Sequence, residues 1–352
     1  GKGSRPTPCF PFPTPHPRHA IIRAFPRFRP MQVFRGIPER AEHGCVLTIG
    51  NFDGVHRGHQ ALLTKLTDKA RVTGLPSAVL TFEPHPREFF AHDNRPRRLT
   101  SLREKIQLLA THGVDRLYIA RFNTRFAGLT AEQFIEDVLI HGLGVRHLLI
   151  GDDFCFGKAR KGDFAMLQAA GQQTGFTVEA MHTLVHEGER VSSSAVRAAL
   201  LEGDMPHAAR LLGRPYSISG HVVHGRKLGR TLDCPTMNVR FGHEKPATQG
   251  IFAVRTHGLS PEPLDGVASL GVRPTVEESG RVLLEVYCLD WPPELGSEGG
   301  YGKIVRVELL HKLRDEARFD GLEALQAAIH QDIADAKAFF QAQGRQTTRD
   351  RI

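Results

Sequence analysis

Five short runs of β-forming apolar residues punctuate the first half of the chain, at residues 45–52, 78–82, 116–122, 147–150 and 176–181. Longer amphipathic stretches with helical spacing lie between them, and their ends are marked. Ser101 stands where an N-cap would precede LREKIQLLATH, with Gly113 closing the helix; Thr130 followed by Gln133 forms a capping box ahead of EQFIEDVLIHG. Strands alternating with helices predict right-handed crossovers and a doubly wound parallel sheet, whose ligands sit beyond the carboxyl ends of the strands. SSSAVRAALLEG and MPHAARLLG predict two short helices after the last of these strands.

After Arg214 the texture changes. SISGHVVHG, PTMNVRF, IFAVRTHG, GVASLGV, RVLLEVYCLDW and KIVRVELLHKL are short β-type runs separated by Gly/Pro-rich turns, with no long helix among them. That pattern predicts an antiparallel barrel or sandwich. An amphipathic, Ala-rich helix is expected over residues 322–341. The fold class is therefore α/β plus β, with segments at 1–30, 31–210 and 211–345.

Composition adds boundaries. The chain has 352 residues, 40% hydrophobic and 24% charged, which leaves room for two cores. No apolar run reaches the ~18 residues of a membrane span, so no membrane partner is expected. The net charge of +8 points to nucleic acid until its placement is considered. Lys2, Arg5, Arg18, Arg23, Arg27 and Arg29 lie in residues 1–30, which hold no acid. The near-neutral body has no broad field for a phosphate backbone, so no nucleic-acid partner is expected. Residues 1–30 also hold eight prolines and little periodicity. They are expected to be a disordered basic extension or mis-called start ahead of a domain beginning at Met31. Cys9, Cys45, Cys155, Cys234 and Cys288 are scattered with no CxxC pair, pointing to reduced thiols and a cytoplasmic protein.

The strongest local signal is GNFDGVHRGHQ, residues 50–60. A buried strand ends near Phe52, Gly54 turns the chain, and a helix starts near Arg57. His56 and His59 then fall in a helix's first turn, where free backbone N–H groups and the positive dipole end favour a phosphate. Gly58 between them removes a side chain that would block a nucleotide. Two imidazoles beside that anion site can donate hydrogen bonds to a pentavalent phosphorus centre. The bland alternative is a strand–helix turn with incidental histidines; two of them flanking a glycine at such a junction point to chemistry. Ser192, Ser193 and Ser194 offer hydroxyls at another helix start with Arg197 in its first turn, an arrangement suited to polyphosphate. GDDFCFGK fails as a P-loop, because Gly151 and Gly157 are mis-spaced and Ala159 replaces the required Ser/Thr. Its Asp152 and Asp153 either help hold Mg²⁺ or the nucleotide, or stabilise the loop.

HxGH after a first buried strand resembles the nucleotidyltransferase superfamily. With TFEPHP (81–86), GDDFCFG (151–157) and VSSSAVR (191–197), the chain is similar to bacterial bifunctional riboflavin kinase/FAD synthetases. The resemblance spans residues 31–340 and implies a nucleotidyltransferase domain followed by a kinase barrel. It assigns Gly50, Asn51, Phe52, Asp53, Gly58, Ser192, Ser193, Ser194 and Arg197 to ATP in the first domain, beside His56 and His59. In the second domain GHVVHGRKLGRTLDCPTMNV (220–239) resembles the kinase module. There Thr236 and Asn238 would hold Mg²⁺ with hard oxygen ligands, and Gly225, Arg226, Lys227, Gly229 and Arg230 would fold over ATP phosphates. LEVYCLDW supplies Glu285 as the catalytic base for the ribityl hydroxyl, or else a merely solvent-facing strand residue. GVRPT (271–275) completes the match together with LRDEARF (313–319), whose Arg314 and Glu316 would serve the flavin pocket.

The sequence departs from the family at Asp233 and Cys234, where Gly-Phe is usual, at Ser269 for Asn and at Tyr287 for His. The resemblance implies ATP-dependent phosphorylation of riboflavin to FMN, then adenylyl transfer to give FAD and pyrophosphate. ATP is the co-substrate, Mg²⁺ the cofactor, and the state a monomer or weak homo-oligomer. Two other readings stand beside it: a nucleotidyltransferase with another acceptor, opposed by PTMN and LEVYCLDW, and a non-catalytic flavin- or RNA-binding protein, opposed by the intact histidines and the neutral body.

Overall fold

The computed structural model describes residues 30–91, 95–151, 153–182, 184–224, 236–242, 245–272, 282–296 and 300–349. The N-terminal extension up to residue 29 lies outside the described residues. So do Asp152, the stretch 225–230, the departures Asp233 and Cys234, and the end of GVRPT.

The first module runs β1 (Gln32–Arg35), β2 (Cys45–Ile49), α1 (Arg57–Thr73), β3 (Ser77–Glu83), α2 (Pro86–Phe90), α3 (Leu102–Thr111), β4 (Arg116–Arg121), α4 (Thr124–Ala127), α5 (Ala131–Gln133), β5 (Val145–Gly151), α6 (Phe164–Thr174) and β6 (Thr177–Met181). Its six strands form one parallel sheet ordered β1-β4-β3-β2-β5-β6. All five predicted runs are strands. β1 is an addition: its four residues are all exposed, so no buried face left a pattern, and it is held by pairing with β4 and by Phe34 stacking on Tyr118 at 4.8 Å. Ser101 caps α3 as expected, but His112 is the C-cap and Gly113 follows it with φ 74°. The Thr130–Gln133 capping box is present, and α5 runs on as a π-helix over Phe134–Gly142.

One sheet face buries Leu47, Leu80, Leu148 and Ile150 against Phe134, Leu139 and α6's Leu167. The other buries Val46, Val79, Leu117 and Leu149 against Leu63 and Leu66 of α1 and Leu109 of α3. Covering both faces is what a parallel sheet requires.

A small hairpin, β7 (Val185–His186) and β8 (Glu189–Arg190), leads to α7 (Ser193–Glu202) and α8 (Met205–Leu212). Then come β9 (Tyr216–Val223), β10 (Met237–Arg240), β11 (Gly250–His257), β12 (Leu264–Val272), β13 (Val282–Cys288) and β14 (Ile304–Arg314). They close an antiparallel barrel in the order β10-β13-β12-β11-β14-β9, deciding between barrel and sandwich. The final helix, α9 (Leu322–Arg349), extends beyond the predicted end; its Ala336, Ile333 and Phe339 cover Ile251, Ala253 and Val267 on the outside of the barrel.

The two modules share a core. Val196 and Leu200 of α7 and Leu211 and Leu212 of α8 belong to one buried cluster with Ile218, Phe252, Leu284 and Val305 of the barrel. Polar ties cross the same boundary: the Ser219 N–H donates to Glu104 of α3 at 2.6 Å, and Arg97 donates to the Pro246 carbonyl at 3.1 Å.

Candidate functional site

The order of the parallel sheet reverses between β2 and β5, which places the crevice of the fold at the end of β2. There the chain turns through GNFDGVH into α1. Phe52 (φ 48°) and Val55 (φ 42°) adopt left-handed backbone with bulky, fully buried side chains. Such strain persists only where the surroundings over-determine it, and they do. The buried Asp53 carboxylate accepts from Leu99 N at 3.0 Å and Thr100 N at 3.1 Å, and Ser193 Oγ donates to the Asp53 carbonyl at 2.9 Å. Arg214 donates to Gly54 O at 2.7 Å and Val55 O at 3.2 Å, while Gln60 donates to Val55 O at 2.9 Å.

His56 is the N-cap of α1, its Nδ1 accepting from His59 N at 3.4 Å. A ring that accepts at Nδ1 carries its proton on Nε2 when neutral. The two imidazoles stack with centroids 3.7 Å apart, and Phe52 lies against His59 at 4.9 Å. A Cβ on Gly58 would stand 3.2 Å from the His56 ring, so this glycine makes room for the histidine itself. Burial pushes His56 down to about 4 and holds His59 well below the ordinary histidine range. Both rings are neutral near pH 7. His59 Nδ1 and the neighbouring Asn51 Oδ1 are shielded from water and find no hydrogen-bond partner among the described residues. Buried polar atoms without partners mark a place where a ligand completes the network. Gly50 donates its N–H to Leu80 O at 3.1 Å, joining the turn to β3.

The VSSSAVR segment adjoins this turn. Ser192 caps α7 by accepting from Ala195 N at 3.1 Å, and Ser194 is exposed at the helix start. Arg197 pairs with the Asp53 carboxylate and donates to Arg97 O at 2.7 Å. Behind it, Arg98 bridges Glu83 and Glu88 at 2.5 Å each. His85, the N-cap of α2, is likewise pushed down to about 4 by burial. Asp153, after β5, is exposed and accepts from Arg190 at 3.2 Å.

Sequence reasoning missed the neighbouring cavity. About 980 Å³ in volume, it opens at the ends of β3, β4 and β5 and is lined by Phe82, Phe89, Phe90, Phe122, Phe126, Phe134, Phe154 and Phe156, with Arg87, Lys158 and Arg160 also at its wall. Phe122 is the hub, edge-on to Phe82, Phe89 and Phe90 at 5.4–5.9 Å. The signal was present as phenylalanines just after strand ends, in FF, FNTRF and FCF. A flat aromatic ligand suits such walls.

In the barrel, Asn238 on β10 lies directly opposite Glu285 on β13, with Ser269 of β12 on the other side of Glu285. Leu284 and Val286 point into the core, so the alternation turns Glu285, half-buried, to the outside. Asn238 is 7% exposed, and Thr236 lies two positions before it, just ahead of the start of β10. The departure Ser269 thus adjoins Glu285. Hydroxyl, amide and carboxylate oxygens gathered here are a donor set fit for Mg²⁺. Arg314 is engaged with Asp332 of α9 through two 2.7 Å hydrogen bonds. Glu316 lies over Gly271, where a Cβ would overlap its carboxylate, and burial raises its pKa.

Residues 38–195 match a family model described as FAD synthetase, and residues 212–340 match one described as riboflavin kinase. The bifunctional riboflavin kinase/FMN adenylyltransferase of Escherichia coli (strain K12) is 48% identical over 313 residues, 88% of this chain and 98% of that protein. The protein of the same name from Pseudomonas fluorescens is 47% identical over 88% of this chain and 97% of its own length. A solved Streptococcus pneumoniae structure, described as a macrolide-efflux protein, covers 87% of this chain and 99% of its own with TM-score 0.74 and 26% identity. No described helix of the present chain is long and apolar enough to cross a membrane. Both module matches and the full-length relatives agree, and the chain belongs to the bifunctional riboflavin kinase/FMN adenylyltransferase family.

Proposed function

We propose that the barrel phosphorylates riboflavin with ATP to give FMN, and that the parallel-sheet module then transfers AMP from a second ATP to FMN, releasing pyrophosphate and giving FAD. The observation that carries the second step is the strained GNFDGVH turn, with its orphaned His59 Nδ1, in the same module as an aromatic cavity large enough for a flavin ring.

For adenylyl transfer, a phosphate oxygen of FMN attacks the α-phosphorus of ATP and pyrophosphate leaves. His56 and His59, neutral at working pH, donate N–H hydrogen bonds to the transferring group as charge builds on it. The α1 and α7 N-termini, with Ser192, Ser193 and Ser194, face the remaining phosphates. Arg197 does double duty, bracing Asp53 while placing its charge beside the site. No enzyme residue becomes covalently modified; positioning and charge neutralisation suffice.

In the barrel, Glu285 takes the proton from the ribityl 5′-hydroxyl as that oxygen attacks the γ-phosphorus and ADP leaves. Thr236 and Asn238 would hold Mg²⁺, which when bound neutralises phosphate charge. Gly225, Arg226, Lys227, Gly229 and Arg230, outside the described residues, are assigned to the triphosphate by the family resemblance alone, and Arg314 and Glu316 border the flavin. We assign the protein to the cytoplasm, with small molecules rather than nucleic acid as ligands, working as a monomer or weak homo-oligomer.

The test is chromatography of riboflavin incubated with purified protein, ATP and Mg²⁺. FMN appearing first and FAD after it is the expected result. FMN alone would remove the adenylyl-transfer assignment, and neither product would overturn both.

A further inference from the structure

Two adjacent charged residues of α3 are buried, Glu104 and Lys105. Glu104 is fully engaged: its carboxylate accepts from Ser101 N at 2.7 Å, Ser101 Oγ at 2.8 Å and, across the module boundary, Ser219 N at 2.6 Å. Lys105 is 5% exposed, and among the described residues its ammonium has Asp53, Glu83 and Glu88 as nearby opposite charges but no hydrogen bond to them. A buried cation without a partner is costly unless something else pays for it.

Placement says where the charge lies. Lys105 and Leu109 are four residues apart, on one stripe of α3. Leu109 packs in the cluster with Phe52 and Val55, the two strained residues of the histidine turn. Lys105 is one turn nearer the helix start, and that start is bolted to the same turn. Asp53 accepts from Leu99 N and Thr100 N, and Gly54 N donates to Thr100 Oγ1 at 3.1 Å. The ammonium is close enough to His59 and His85 to lower the basicity of both. Nearby carboxylates are already taken, Asp53 by Arg197 and Glu83 and Glu88 by Arg98. Their charges make the buried cation tolerable without pairing it.

We propose that Lys105 is a phosphate-binding residue of the adenylyl-transfer site, its ammonium pairing with a phosphoryl oxygen of the bound substrates. The inference rests on the adenylyl-transfer reading above. Lysine suits this task, because a compact ammonium with three donors takes phosphate as a point charge. Before substrate arrives the ammonium has favourable charges nearby but no direct partner among the described residues; the phosphate supplies one.

The test uses the full chain with Lys105→Met, which keeps the apolar stem, and Lys105→Arg, which keeps the charge. FAD formation is followed with FMN and ATP varied separately, riboflavin phosphorylation is assayed in the same samples, and thermal unfolding midpoints are recorded. Lys105→Met should lower kcat/KM for adenylyl transfer by about 100-fold or more. Phosphorylation should stay within about twofold, the midpoint should be unchanged or raised, and Lys105→Arg should recover part of the loss. A rise in KM for FMN assigns the acceptor's phosphate, a rise in KM for ATP the triphosphate, and a fall in kcat alone the transferring group. Adenylyl transfer within about threefold of the parent in Lys105→Met overturns the proposal, as does a loss that comes with a lowered midpoint and is not recovered by Lys105→Arg. A parent protein that forms no FAD sinks the underlying reading instead, which keeps the two failures apart.

Discussion

Arg214 and Gly54 are 160 residues apart in sequence, and a 2.7 Å hydrogen bond from the Arg214 guanidinium to the Gly54 carbonyl joins them. The same guanidinium reaches Val55 O, so the residue that leads into the barrel braces the turn that aims His56. Burial holds Arg214 below the usual arginine range, to about 10, which leaves it charged at neutral pH. Arg214→Ala strands the buried Gly54 carbonyl and leaves Val55 O to Gln60 alone, and should cost about 1–3 kcal/mol of stability. FAD formation from FMN should fall at least about tenfold while riboflavin phosphorylation persists. Arg214→Lys should rescue little, because one ammonium cannot fork between both carbonyls at that reach. Rates and unfolding midpoints for the two variants check this.

The two activities should separate by single substitutions. His59→Ala removes a donor to the transferring phosphoryl group and should reduce FAD formation by about 100-fold or more, with FMN formation unchanged. Glu285→Gln keeps the shape beside Asn238 but removes the base. It should slow FMN formation by about 100-fold or more and leave FAD formation from supplied FMN intact. Loss of both activities in either folded variant would contradict two independent sites.

His56, His59 and His85 set the acid limit. Each titrates below the ordinary histidine value of 6.5 because burial disfavours the charged ring, with His56 and His85 at about 4. Between about pH 6.5 and about pH 4 the unfolded chain therefore binds more protons than the folded one, and stability falls as pH drops through that window. The unfolding midpoint should be nearly flat above pH 6.5 and decline below it. His85→Gln should shallow the decline. Adenylyl transfer should show no inflection near pH 6.5, since the site histidines are already neutral there.

The histidine turn was legible because strand end, glycine, paired histidines and helix start fall within eleven consecutive residues, all in local register. The barrel strands were legible for the same reason, each carrying its own alternation. What escaped reading depends on residues far apart. β1 buries none of its own side chains and exists through pairing with β4. Lys105 reads as an ordinary helix-surface charge until tertiary packing places its stripe against Phe52. Arg197 could be read as a phosphate ligand from its helix position, but its pairing with Asp53 spans 144 residues. The aromatic cavity draws on the segments after three different strands, and no window of sequence contains it.

That cavity makes the last prediction. Phe122 follows β4 and holds Phe82, Phe89, Phe90 and Phe126 within ring contact. Removing its ring takes away a wall of the cavity and loosens four others at once. Aromatic stacking on a ring system contributes about 1–3 kcal/mol, so Phe122→Ala should raise KM for FMN in adenylyl transfer by about tenfold or more. KM for ATP should change little, because the histidine turn does not rest on this cluster. Riboflavin phosphorylation in the barrel provides the internal control and should be unaffected. Phe122→Tyr, which keeps the ring, should stay within about threefold of the parent, and varying FMN and ATP separately in the FAD-forming assay separates these outcomes. A KM for ATP that rises as much as that for FMN would mean the ring cluster shapes the whole crevice rather than the acceptor's share of it.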